Sequence, residues 1–122
     1  MYTYSFEKLD VWNLSKKLAV NLYSVSKNFP DSEKYGMVNQ IRRAIISVCS
    51  NIAEGSSRRS AKDQAHFYTI AYSSLIEVLS QLIISRDLNW ITVEVLTDVR
   101  NDIEIISRRL NVLRNTITKT ES

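Results

Sequence analysis

Apolar residues recur at steps of three and four along almost the whole chain, and polar residues fill the positions between them. That period belongs to helices that bury one stripe. Val11, Leu14, Leu18, Leu22, Val25 and Phe29 form a first stripe, with Trp12, Ala19 and Tyr23 beside it. Val38, Ile41, Ile45, Val48 and Ile52 form a second. At about 100° per residue, Ile46, Cys49 and Ala53 widen it to one side. Phe67, Ala71, Leu75, Val78 and Leu82 form a third, joined by Ile83. Leu96, Val99, Ile103, Ile106, Leu110, Leu113 and Ile117 then run without a break, as along the seam of a helical bundle or coiled coil.

Local signals set the expected ends. Asp10 offers an N-cap to the first helix, and Pro30 closes it by pushing Phe29 out of the α region. Asp31 and Ser32 offer caps to the second helix, Glu33 suits its positive end, and Gly36 makes its first turn irregular. Gly55 stands where a C′ residue would stop that helix, and Gly55 to Arg59 has loop composition. Ser60 with Asp63 resembles a capping box, and the third helix ends near Asp87 to Trp90. Thr92 caps the fourth, with Glu94 in its first turn; the tail from Thr118 is polar and expected to fray. The spacing predicts helices over about 10–29, 32–54, 60–88 and 92–117. Short links make neighbours antiparallel, so the expected fold is all-α, an antiparallel up-down-up-down four-helix bundle in a single domain, 1–122.

Composition agrees with this reading. A chain of 122 residues that is 44% hydrophobic can bury a real core, and two Gly and one Pro leave little material for turns. One Cys excludes an internal disulfide framework and points to a reducing cytosol. Met1 to Asp10 lacks the apolar core of a signal peptide, and no apolar run approaches the ~18 residues of a membrane span. The expected location is cytoplasmic, away from membranes.

The second helix carries an unusual polar face. Gln40, Arg43, Ser47, Ser50, Asn51 and Glu54 gather there, and most are short. Solvated faces usually carry long charged side chains, whereas short polar ones let another backbone approach. This predicts a self-association surface made by Gln40, Arg43, Ser47, Asn51 and Glu54.

Charge is segregated along the chain. The net charge is +3 and the pI about 9.1. Residues 35–62 hold five basic side chains and one acid, residues 63–104 two against seven, and residues 105–122 four against one. In an up-down-up-down bundle, Arg58, Arg59, Lys62, Arg108, Arg109, Arg114 and Lys119 share one pole, where they can meet a phosphate backbone. Asp31, Glu33, Asp87, Glu94 and Asp98 occupy the other. Compensation of the helix macrodipole explains cations at the end of the fourth helix. It does not explain Arg58, Arg59 and Lys62, which stand at the start of the third.

Candidate chemistry is sparse. His66 and Cys49 are the only residues of their kinds and cannot alone assemble a zinc site. Cys49 reads as a small core residue and His66 as a surface or packing residue. Ser47, Ser50, Ser73 and Ser74 have no general base that spacing identifies, and the two glycines are too far apart for a phosphate loop. Glu54 and Glu77 are the carboxylates to weigh for catalysis, and they read rather as ion-pair partners of Arg42 or Arg43 on a neighbouring helix or subunit. Trp12, Tyr23, Tyr68 and Tyr72 offer stacking surfaces or, at helical spacing, core. No enzymatic activity, cofactor or metal is expected.

Asn39-Gln40-Ile41-Arg42-Arg43-Ala44, followed by Ser50-Asn51-Ile52-Ala53-Glu54-Gly55, resembles the signature of the four-helix bundle protein family, also known as the S23 ribosomal protein or ribosomal RNA intervening-sequence protein family. Leu9-Asp10-Val11-Trp12, Phe29-Pro30 with Glu33, Tyr35-Gly36-Met37, and Ala71 through Ser74-Leu75 to Glu77 extend the resemblance from about Phe6 to Leu113. It also reaches the accessory variability protein of diversity-generating retroelements, which has the same bundle. The resemblance implies a ring-like homopentamer. Through the accessory protein it implies nucleic-acid binding by a basic surface and a reverse transcriptase as partner. Through the intervening-sequence branch it implies an association with ribosomal RNA genes. The chain departs from the family at Cys49, where a proline is usual, and at Ser73, where a glycine is usual. The first predicts a straighter second helix, the second a less intimate helix crossing.

Two functions follow. The leading one is a non-enzymatic homo-oligomer, a pentamer by resemblance, that binds RNA or DNA and supports a partner enzyme. The alternative is a structural or protein-docking bundle with no nucleic-acid role.

Overall fold

The computed structural model describes the backbone of residues 1–121 and the side chains of residues 1–117. Four helices account for most of it: α1 (Asp10–Ser26), α2 (Met37–Ser57), α3 (Ala61–Asp87) and α4 (Val93–Glu121). Short 3₁₀ turns over Ser5–Lys8 and Asp31–Glu33 precede α1 and α2. Helix α2 packs on α1 and α3, and α4 closes the bundle against α3 and α1. The antiparallel four-helix bundle is the architecture that the apolar periods predict.

The core follows the stripes closely. Leu18, Leu22, Ile41, Ile45, Val48, Ile52, Leu75, Val78, Leu82, Val99, Ile106 and Leu110 are fully buried. Each contributes roughly 1.5–3 kcal/mol relative to exposure. On α2, the stripe widens toward Ala44, which is buried, while Ile46 on the expected flank is exposed. On α3 the ring that enters the core is Tyr68 rather than Phe67, which is half-buried. An eighteen-residue window of α3 has a mean hydropathy of 1.4, apolar enough in length and composition to cross a membrane. Its packing against both α2 and α4 accounts for that composition.

Helix ends depart from expectation in informative ways. Helix α1 stops at Ser26, yet Phe29 remains buried and packs on Trp90 at a ring distance of 5.6 Å. Asp10 is the first residue of α1, and Leu9 occupies the cap position. Residues 31–33 form their own turn, and α2 starts only at Met37, whose N–H donates to Glu33 Oε1 at 3.2 Å. Gly55 does not stop α2. The helix passes through it to Ser57, so the α2–α3 link is Arg58 to Ser60. The caps expected of Ser60 and Thr92 form: Asp63 N–H donates to Ser60 Oγ at 3.0 Å and Val95 N–H to Thr92 Oγ1 at 3.1 Å. Helix α3 ends in a Schellman motif with Asn89 left-handed at φ 64°. Trp90 N–H donates to Ser85 O at 2.9 Å and Asn89 N–H to Arg86 O at 3.0 Å.

Candidate nucleic-acid interface

The face of α2 expected to meet a partner largely meets α3 of the same chain. Ser47 Oγ lies 3.0 Å from Ser74 Oγ. Asn51 Nδ2 donates back to Ser47 O at 2.8 Å and to Ser47 Oγ at 3.1 Å. Gln81 Nε2 donates to Gln40 Oε1 at 3.4 Å and to Glu77 Oε1 at 3.2 Å. A Cβ on Gly55 would stand 2.7 Å from Tyr68 Cε1. Short side chains do permit close approach here, and the element that approaches is α3. Ser73 is exposed, whereas Ser74 makes the contact, so the absent glycine does not loosen this crossing. Arg43 stays exposed on the far side of α2, beside the exposed Ile46 and Ser50.

Glu54 pairs with Arg58 one turn on, not with Arg42 or Arg43, and Glu77 is engaged by Gln81. Arg42 turns instead to the end of α1. Its Nε donates to Ser26 Oγ at 2.9 Å, its Nη2 donates to Tyr23 O at 3.2 Å, and the guanidinium lies 4.6 Å from the Tyr23 ring centre.

The basic pole forms at the end of the bundle that holds the α2–α3 link. Antiparallel packing brings the last turns of α4 beside the first turns of α3, and Arg114 Nη1 donates to Thr69 Oγ1 at 3.2 Å. The Arg114 guanidinium also lies 5.4 Å from the Tyr72 ring centre. Arg58 stacks over Phe67 at 4.5 Å, while Arg59 and Lys62 are exposed and form no ion pair among the described residues. Arg108 and Arg109 lie further down α4 and pair with Glu104 and Asp10. The side chain of Lys119 lies outside the described residues. The pole therefore divides into a part compensated by acids (Arg58, Arg108, Arg109) and a part around Arg59 and Lys62 that forms no ion pair among the described residues.

The remaining candidates are quiet. Burial raises the Cys49 thiol to about 11, opposed by a smaller effect of its backbone hydrogen bond, so thiolate is scarce at neutral pH. His66 is exposed and lies edge-on to Phe67. Tyr68 is core, and burial raises its pKa. Among the described residues no three His, Cys, Asp or Glu side chains gather as a metal site would require.

The family model described as 23S rRNA-intervening sequence protein matches residues 7–112. The chain belongs to that family. A crystal structure of a protein of unknown function from the S23 ribosomal protein family of Bacteroides thetaiotaomicron superposes on this chain with a TM-score of 0.80. It is 25% identical and covers 86% of this chain and 95% of its own. No curated protein matches the chain in sequence. In this family member, the stretch Asn39 to Gly55 that carries the sequence resemblance forms most of the α2 surface pressed against α1 and α3. The motif thus builds the bundle. The cations of the pole stand outside it.

Proposed function

We propose that this chain is a non-enzymatic, self-assembling bundle that binds nucleic acid, ribosomal RNA foremost, through the end of the bundle that holds Arg58, Arg59, Lys62 and Arg114. The observation that carries this reading is the exposure of Arg59, just before the N-cap of α3, and of Lys62 in its first turn. Cations at that position oppose the positive end of the helix dipole; Asp63 in the same turn offsets one of them, and the remaining positive charge favours an external anion. The family's description supports an RNA-related role. In the same reading the protein assembles as a homopentamer through the outer side of α2, and the branch that serves a reverse transcriptase would use the same basic end.

The test is filter binding to ribosomal RNA over a range of salt concentrations. With three or four phosphates contacted, log K falls with log salt at a slope of about −2 to −4. Arg59→Ala with Lys62→Ala reduces that slope by about 1.5. Arg109→Ala, whose charge Asp10 already matches, changes it less. A weak, salt-insensitive response that the double substitution leaves unchanged would overturn the proposal. The ion pairs of Arg58, Arg108 and Arg109 favour the second reading, a protein-docking bundle, and that outcome would select it.

A further inference from the structure

The first residues of the chain do more than close the bundle. Tyr2, Tyr4, Phe6 and Trp12 form a continuous series of rings. The Tyr2 and Tyr4 centroids are 4.9 Å apart at 81°, those of Tyr4 and Phe6 6.4 Å apart at 24°, and those of Phe6 and Trp12 4.8 Å apart at 71°. Phe6 and Trp12 are half-buried, and their contact holds the segment to α1. The outer two anchor nothing in the core: Tyr2 is 75% exposed and Tyr4 61%.

The segment is nevertheless held in place. Tyr4 N–H donates to Glu7 Oε2 at 2.7 Å, Asn13 Nδ2 donates to Glu7 O at 3.0 Å, and Ser5 Oγ donates to Ser56 Oγ at 3.4 Å. The last bond fixes the turn to the end of α2, two residues before Arg58. The aromatic series therefore begins at the basic end. Lys16 Nζ lies 5.1 Å above the Trp12 ring and Lys8 is exposed in the turn itself. Of the nearby acids, Glu7 is engaged by the Tyr4 N–H and Asp10 by Arg109.

We infer that the Tyr2–Tyr4 pair is a stacking platform for unpaired bases, so that the nucleic acid held at the basic end is single-stranded. This rests on the nucleic-acid reading above and sharpens it. Cations alone attract any phosphate backbone. Exposed rings gain only from a base whose face is free, and a duplex keeps its base faces stacked on each other. The hydrogen bonds that hold the turn reduce the ordering cost of offering those rings.

Fluorescence anisotropy with a labelled oligoadenylate of about twelve nucleotides, a length within the span of one such site, and with an RNA duplex of equal length tests this. The single strand binds more tightly. Tyr2→Ala with Tyr4→Ala weakens it by about tenfold or more and leaves the duplex unaffected. Tyr2→Phe with Tyr4→Phe retains it, because the ring face is kept. The salt slope for the single strand survives the aromatic substitutions and falls with Arg59→Ala and Lys62→Ala. If the alanine pair binds the single strand as the unaltered protein does, while the charge substitutions still weaken it, the platform is wrong and the basic end stands. If the unaltered protein binds neither probe, both readings fall. Tyr2 and Tyr4 lie outside the core, so neither pair of substitutions threatens folding.

Discussion

Gly55 shows how one residue changes meaning between sequence and fold. A glycine followed by Ser-Ser-Arg-Arg has the composition of a helix end, yet α2 continues through it with an ordinary helical φ. It is needed for proximity: a Cβ there would lie 2.7 Å from Tyr68 Cε1 and 3.2 Å from Phe67 Cβ. Alanine in a helix interior gains about 0.5–1 kcal/mol over glycine. Overpacking against a buried ring costs about 1–3 kcal/mol. Tyr68 is only 3% exposed and has little room to give way, so overpacking wins. Gly55→Ala should lower stability by about 1 kcal/mol or more, read as a fall in the urea midpoint with unchanged slope. A gain in stability would show that α3 moves aside freely. The left-handed C′ residue that Gly55 was expected to supply occurs instead at Asn89, a residue type that tolerates this conformation through its short polar side chain.

At the scale of elements, the last turn of α1 carries no cation of its own, and α2 supplies one. Arg42 reaches the Tyr23 carbonyl and the Ser26 hydroxyl, and Ser26 Oγ in turn donates to Tyr23 O at 3.2 Å. Carbonyls near a helix C-terminus favour a cation, and a charge-assisted hydrogen bond is stronger than a neutral one. Arg42→Ala should therefore destabilise the bundle by about 1–2 kcal/mol in chemical denaturation. Arg42→Lys should recover only part of this, because an ammonium lacks the two-pronged geometry that serves both acceptors and the face that stacks on Tyr23. Full recovery by lysine would mean that charge alone matters. This interaction was hidden in the sequence, where Arg42 was one cation in a basic stretch and its acceptors lay sixteen and nineteen residues earlier. The helices themselves were legible, because each apolar stripe needs only a period of 3.6 residues to declare itself. Their ends were less so, because proline and glycine signal possible breaks that packing then accepts or overrides. Phe29 stays in the core beyond its helix, and α2 begins later and ends later than its local signals imply.

For the whole molecule, the arrangement of helices decides what the polar face of α2 does. Gln40, Ser47 and Asn51 belong to the α2–α3 contact or its immediate surroundings, and Glu54 is paired with Arg58 of the α2–α3 link. Of the five residues expected to meet a partner, Arg43 is the one that remains exposed with no described side-chain bond, next to the exposed apolar Ile46. If α2 contributes to assembly it does so through this outer edge. Arg43→Glu should then shift sedimentation velocity profiles toward the monomer at micromolar protein. An unchanged oligomer would move the contact to another face. The same topology sorts the cations. Exposed pairs such as Arg108–Glu104 and Arg109–Asp10 contribute at most about 1 kcal/mol each to stability. Their larger consequence is to leave Arg59 and Lys62 as the centre of the positive end.

The sequence by itself determined the helical class, the four stripes and the family, because periodicity and short motifs are local properties of the chain. It also placed cations at both the α2–α3 link and the end of α4. Which polar side chains face inward, which cations meet acids and which rings stay outside were decided only by the tertiary structure. Those outcomes depend on distances between residues far apart in the chain. Ser47 meets Ser74, Asp10 meets Arg109 and Ser5 meets Ser56 only once the helices lie side by side. A one-dimensional pattern states a residue's side of its own helix, and only packing says what stands opposite it.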